Sequence, residues 1–389
     1  MPSNDIRRAR TPLSASRPVV TPIQPSVVYA SEDADALDAL YEGHAKGYTY
    51  AREGHPNAEV LAELVDRLEG ARGGLVTGSG MAAVTIALLS TLRAGDHVIG
   101  ADQLYGRSLR LLREELPRMG IDVSLVDPSD LASLEAAVRP ETRMILLETV
   151  SNPTLRVADI EGAARLCKAK GILLAVDNTF TTPRGLRPFE FGADIVIHSI
   201  TKLLAGHSDA TLGYVAARDP EIATRMHTLA ATLGTTASPF DCWLAERGLY
   251  TFELRYDRAV SSAERLAAAL AEANGVRRVL YPTRPDHPDH NRAKALLGGN
   301  GGHMVSFELD GDRDAVNRFL RATSELAFAP TLGDVGTTIS HPASSSHRAL
   351  SEQQRQELGI PEGFLRISVG CENTEDLIET FLSGIRSVA

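Results

Sequence analysis

Two short apolar runs, Leu173-Leu174-Ala175-Val176 and Ile195-Val196-Ile197, each break off into polar residues. The first runs into Asp177-Asn178-Thr179 and the second into His198-Ser199-Ile200-Thr201-Lys202, with a connection between them broken by proline and glycine. Such runs read as strands buried on both faces, the kind that parallel sheets use. In open α/β sheets ligands bind beyond the carboxyl ends of the strands. One strand end therefore offers a carboxylate, and the next a lysine flanked by two hydroxyls.

A carboxylate facing a lysine-bound pyridine is what pyridoxal phosphate (PLP) chemistry asks of a protein. Lys202 would form the Schiff base, Asp177 would keep the ring nitrogen protonated, and Ser199 and Thr201 would donate to the phosphate. An aspartate at a strand end also serves as a plain turn former, so the rest of the chain has to decide.

Around these runs strands and helices alternate. Strand patterns at His97–Ile99, Ile121–Val126, Met144–Leu147 and Leu212–Val215 are separated by helical patterns such as Ser108–Leu116, Leu131–Val138 and Ile160–Lys170. That period predicts an α/β fold, a mostly parallel seven-stranded sheet covered on both faces. Later strand signals at Arg277–Leu280, His303–Leu309 and Phe364–Val369, with helices between, predict a smaller C-terminal α+β domain. The expected division is an arm at 1–57, a large domain at 58–249 and a small domain at 250–389. At 389 residues the chain exceeds the ~250–300 that one core supports, which agrees with two domains.

The net charge of −10 carries no basic cluster and argues against nucleic acid as partner. Cys167, Cys242 and Cys371 have neither metal spacing nor a disulfide pattern, which suits a reducing compartment. No run reaches the ~18 apolar residues of a membrane span. Arg7, Arg8, Arg10 and Arg17 are not followed by the apolar stretch of a secretory leader, so the cytoplasm is the expected location.

Two further motifs bear on a phosphate. Leu75-Val76-Thr77 followed by Gly78-Ser79-Gly80-Met81 reads as strand, turn and helix start, where open N–H groups hold anions. Gly78-x-Gly80-x-x-Ala83, with Asp96 or Asp102 downstream, also fits a dinucleotide fingerprint, which keeps a nicotinamide-dependent oxidoreductase as a rival. In the arm, Tyr50 and Arg52 stand two apart and can grip an anion together, although a solvated loop reads as well there.

In their order and spacing these motifs resemble the Cys/Met metabolism family of PLP enzymes: cystathionine lyases and synthases and methionine γ-lyases. Asp177-Asn178-Thr179, His198-Ser199-Ile200-Thr201-Lys202 and Gly206-His207-Ser208-Asp209 carry the likeness, which runs from about Thr21 to Ser387. It implies PLP fold type I, aspartate aminotransferase-like. It also implies Lys202 as Schiff-base lysine and proton shuttle, Asp177 on the pyridinium nitrogen, and Thr179 beside it. The phosphate would fall to Ser79, Gly80, Met81, Ser199 and Thr201, with Tyr50 and Arg52 reaching it from a neighbouring subunit. Tyr105 would stack on the ring and move protons. Asn152, Thr331, Leu332, Arg366 and Arg107 would hold the substrate, Arg366 by forking its carboxylate. The active unit would be a homodimer, and the assembly a homotetramer.

Four departures bear on the substrate. His55-Pro56-Asn57 replaces the family's Asn-Pro-Thr, and Thr331 stands where a serine is usual. Arg107 replaces the cysteine typical of methionine γ-lyases, and Gly336 a glutamate common in cystathionine-handling members. The implied activity is γ- or β-elimination on a sulfur-containing or homoserine-derived amino acid, of cystathionine, methionine or canavanine type. γ-Replacement, as in cystathionine γ-synthases or O-acylhomoserine sulfhydrylases, is the alternative. His207, in a polar turn, reads as a local hydrogen-bonding residue.

Overall fold

Seven strands form the first sheet: β1 (Leu75–Thr77), β2 (His97–Ala101), β3 (Asp122–Val126), β4 (Thr142–Glu148), β5 (Leu173–Asp177), β6 (Ile195–His198) and β7 (Gly213–Ala217). The computed structural model that shows them describes residues 14–388; Arg7, Arg8 and Arg10, used in the leader reading, lie outside that range. The order is β1-β7-β6-β5-β4-β2-β3, and only β7 runs against the rest. The central strands are apolar throughout because helices cover both faces. Helix Gly80–Leu89 has no polar side and is accordingly buried, packed on β6 and β7.

A second sheet of β8 (Val276–Leu280), β9 (Met304–Leu309), β10 (Ala327–Phe328), β11 (Thr338–Ser340) and β12 (Phe364–Ser368) has the order β10-β11-β12-β9-β8. The short β10 and β11 gave no signal in the sequence, since two or three residues cannot establish an alternation. One face of β9 and β12 packs Val305, Phe307, Leu365 and Ile367 against Phe319 and Phe381. The other face carries Ser306 and Arg366, paired across the strands.

Helix Phe252–Ala271 takes part in both cores. Phe252 and Tyr256 pack with Leu203, Leu204 and Leu249, whereas Ala263, Leu266, Ala267 and Leu270 belong with Phe307 and Phe381. The helix expected over Ser108–Leu116 is α-helical only for Gly106–Arg110, then widens into a π-type turn over Leu111–Glu115. Pro117 has no N–H to return to the preceding turn, and the ladder shifts just before it.

The altered arm motif has a structural explanation. His55 caps helix Pro56–Glu69 with Nδ1 accepting from Ala58 N at 3.2 Å, and its Nε2 bonds Ala237 O at 3.0 Å. Asn57 accepts from Gln24 N at 2.9 Å and donates to Pro22 O at 3.0 Å, pinning the arm to the helix. No helix among the described residues is long and apolar enough to cross a membrane.

Candidate active site

Asp177 closes β5, and four residues after the end of β6 comes Lys202, so both lie beyond the same edge of the sheet. Asp177 Oδ1 accepts from Thr179 N at 3.0 Å and Thr179 Oγ1 at 2.6 Å, while Thr179 Oγ1 accepts from Ser199 N at 2.8 Å. Thr179 thus ties the aspartate turn to the lysine segment. Burial raises the Asp177 carboxyl above the usual carboxylate range; the Thr179 bonds and nearby His198 oppose the rise.

Lys202 Nζ donates to Thr331 Oγ1 at 3.3 Å. Burial, assisted by the charge of Arg366, lowers its proton affinity below that of a free lysine. The following loop is held from below by Arg255, whose guanidinium donates to Leu203 O at 2.7 Å, Leu204 O at 3.0 Å and Gly248 O at 2.8 Å. Gly333 presses on it from the other side. It has φ 78°, and a Cβ there would stand 2.4 Å from Leu203 N and 3.0 Å from Lys202 C. Gly333→Ala is expected to cost about 1–3 kcal/mol of stability and to weaken cofactor binding, read by thermal unfolding and PLP titration.

Arg366, 5% exposed, donates from Nη1 to Asn152 Oδ1 at 2.7 Å and from Nη2 to Thr331 O at 2.6 Å, leaving Nε without a protein partner. Burial pushes its pKa down to about 10. Asn152, Thr331 and Arg366 therefore meet, and Thr331 links Arg366 to Lys202. The added methyl of Thr331 leaves its hydroxyl usable. Leu332 is buried beside them.

The phosphate candidates are less uniform. In helix Gly80–Leu89, Ser79 takes the N–H groups of Ala82 at 3.1 Å and Ala83 at 3.2 Å, and those of Gly80 and Met81 remain at the open end. A Cβ on Gly80 would stand 2.7 Å from Ser199 Cβ and 2.8 Å from its Oγ, so helix start and Ser199 form one cradle that any side chain would fill. Those donors suit a phosphate dianion. The Thr201 hydroxyl donates to Leu212 O at 3.0 Å and accepts from Leu212 N at 2.9 Å. Asp96, one of the two acids of the dinucleotide reading, accepts from Arg93 N at 2.9 Å and pairs with Arg143 at 3.3 Å, occupied as a turn residue.

Tyr105, 44% exposed, stands at the start of helix Gly106–Arg110, next to exposed Arg107. Its N–H donates to Glu148 Oε1 at 2.6 Å. Tyr50 and Arg52 are exposed; Arg52 donates to Ala231 O at 2.9 Å and lies 5.4 Å over the Tyr50 ring. His207 bonds Ala205 O at 2.7 Å, the local role expected of it. Gly336 leaves Glu372 free to bond Thr337 through both oxygens.

Glu148 escaped the sequence reading. It ends β4 in register with Asp177, buried, with Oε2 unpartnered among the described residues. Burial and the neighbouring Asp177 raise its carboxyl well above the ordinary range. The rule that singled out Asp177, a polar residue closing an apolar run, applies equally to Leu147-Glu148.

A carboxylate, an amine, a phosphate cradle and a carboxylate fork all fit PLP with an amino-acid substrate, and comparison with known proteins agrees. The family description "Cys/Met metabolism PLP-dependent enzyme" matches residues 4–386. The chain is 39% identical to the cystathionine beta-lyase MetC of Bacillus subtilis, over 88% of this chain and 87% of that one. It is 36% identical to the L-methionine gamma-lyase of Pseudomonas putida, over 95% and 93%. A Campylobacter jejuni structure assigned as an O-acetylhomoserine (thiol)-lyase, which carries N'-pyridoxyl-lysine-5'-monophosphate, superimposes with a TM-score of 0.91 at 30% identity, covering 97% of both chains. By these matches along almost its whole length, the chain belongs to the Cys/Met metabolism family of PLP-dependent enzymes.

Proposed function

We propose that the chain is a PLP-dependent lyase that eliminates the γ- or β-substituent of a sulfur-containing or homoserine-derived amino acid. The observation that carries this reading is the meeting of Lys202 and Arg366 on Thr331, a proton-shuttling amine beside a carboxylate fork. PLP supplies an electron sink for the pair left behind when the α-proton departs.

Arg366 orients the substrate by its carboxylate, with Asn152 fixing the guanidinium plane. Lys202, whose proton affinity burial lowers, removes the α-proton, after which a β-substituent can leave directly; for a γ-substituent a β-proton is removed as well, and a proton then returns to the carbon that lost the leaving group. Asp177 holds the ring-nitrogen proton, and Thr179 aims the carboxylate. Tyr105, its backbone fixed by Glu148, presents its phenol at the leaving group. Elimination breaks the carbon–sulfur or carbon–oxygen bond; with one water taken up, a 2-oxo acid, ammonia and the protonated leaving group result.

A substrate panel of cystathionine, methionine, homocysteine, canavanine and acylated homoserines tests this. From cystathionine, pyruvate marks β-elimination and 2-oxobutanoate marks γ-elimination. A thioether formed from acylated homoserine and cysteine, with no 2-oxo acid, would reassign the chain to γ-replacement. Inertness towards every member would remove the lyase reading.

Tyr50 and Arg52 make no hydrogen bond to Ser79, Ser199 or Lys202 of their own chain among the described contacts, which supports their serving a second subunit's phosphate in a homodimer, two of which form the tetramer. Arg52→Ala is then expected to weaken PLP binding about ten- to a hundredfold, as loss of a charge-assisted bond does. Equilibrium dialysis reads this, and unchanged retention in a monomeric form would count against it. The free thiols Cys167, Cys242 and Cys371 accord with the cytoplasm.

A further inference from the structure

Arg255 is buried, 7% exposed, and the elimination chemistry gives it no task. Its hydrogen bonds all end on neutral oxygens. Besides the carbonyls of Leu203, Leu204 and Gly248, Nε donates to Thr251 Oγ1 at 3.2 Å. Burying a charge without an acid beside it is costly, and an apolar side chain of similar size often serves stability better. What a guanidinium adds is a rigid plane of donors.

That plane meets the turn behind Lys202. Lys202 N donates to Ser199 O at 3.1 Å and Gly206 N to Lys202 O at 2.8 Å, which closes the chain on itself. The carbonyls of Leu203 and Leu204 take no backbone donor among the described residues, and both turn to Arg255. The guanidinium lies against the bare side of Gly206, which has φ 77° and where a Cβ would overlap Nη1. Gly333 closes on Leu203 N from the opposite side. The peptide after Lys202 is therefore gripped on one side by a glycine and on the other through the next carbonyl. Ser199, in the phosphate cradle, is anchored separately, by Thr179.

The Lys202 side chain has one hydrogen bond of its own, to Thr331, so the setting of its backbone decides where Nζ arrives. Condensation of that amine with the cofactor's aldehyde forms one C=N bond and releases one water. Its equilibrium follows the effective concentration of amine at the aldehyde, which a misplacement of about 1 Å lowers steeply. We propose that Arg255 is a positioning residue for Lys202: by fixing the turn that follows, it holds the amine where it condenses with the bound cofactor. The proposal rests on the reading above that Lys202 forms the Schiff base. It separates two parts of cofactor binding, since the covalent bond needs Arg255 and the grip on phosphate and ring does not.

The test uses the full-length enzyme, freed of cofactor and titrated with PLP and with pyridoxine 5'-phosphate, which has an alcohol in place of the aldehyde and cannot condense. Wild type is compared with Arg255→Lys, with Gly206→Ala, whose methyl displaces the guanidinium, and with the two combined. The visible absorption band of the Schiff base reads the first ligand, and fluorescence the second. Each single variant is expected to bind PLP about ten- to a hundredfold more weakly than wild type, but the alcohol within about twofold. The combination should bind PLP no worse than the weaker single, because both changes act through one contact. Thermal unfolding of the cofactor-free forms reports whether each variant folds, and either single variant is enough for the comparison. Equal weakening towards both ligands would make Arg255 plain scaffold, and unchanged PLP binding would mean the turn is set without it; both overturn the proposal. A wild type that shows no band and binds both ligands equally would instead remove the Schiff-base reading on which it stands.

Discussion

Replacing Lys202 by alanine or methionine is expected to abolish turnover, by about 10⁴-fold or more, in a chain that still folds. The loss is large because the same amine would hold the cofactor and move the α-proton, so no second residue covers for it. Folding survives because the side chain has a single hydrogen bond, to Thr331 at 3.3 Å, and pays for burial of an ammonium group. Burial lowers its folded-state pKa below the unfolded value of 10.5, so the group destabilises the cofactor-free fold. That penalty is fully present below the folded pKa, shrinks as pH rises through it, and vanishes towards 10.5. Cofactor-free Lys202→Met should therefore melt above wild type at neutral pH, the gap closing in alkaline buffer. Thermal unfolding across that range, with turnover assayed on the loaded protein, checks both halves. A variant that melts lower at neutral pH would contradict the sign.

Arg366→Lys is expected to lower kcat/KM about 10²- to 10³-fold while PLP affinity stays within about twofold. The two bonds of Arg366 leave in different directions, to Asn152 Oδ1 at 2.7 Å and Thr331 O at 2.6 Å, and only a planar fork meets both and still presents a face to a carboxylate. A lysine keeps the charge but not the plane. If the role is orientation of substrate, KM should rise more than kcat falls, which steady-state kinetics separates from a general loss of fold. An equal fall in cofactor affinity would move Arg366 from substrate to scaffold.

The chemistry was most legible where it sits at the ends of apolar runs. Asp177 and the Ser199–Lys202 segment announce themselves because a buried strand has to stop before polar side chains can reach a ligand. Glu148 was equally visible by that rule, yet a lone glutamate after Leu147 carries no spacing signal. Glu69 was invisible in another way: it ends an amphipathic helix and meets His198 across 129 positions, a contact that only tertiary folding creates. Arg366 and Asn152 are 214 positions apart, and their pairing came from resemblance and not from pattern.

Helix Phe252–Ala271 has its first turns embedded with Leu203 and Leu249 and its last turns with Phe307 and Phe381. A rod rooted at both ends makes the melting of either layer the melting of its neighbour, so calorimetry of the cofactor-free chain should show one endotherm and not two. Near its start the same rod carries Arg255, clasped to the carbonyls that follow Lys202.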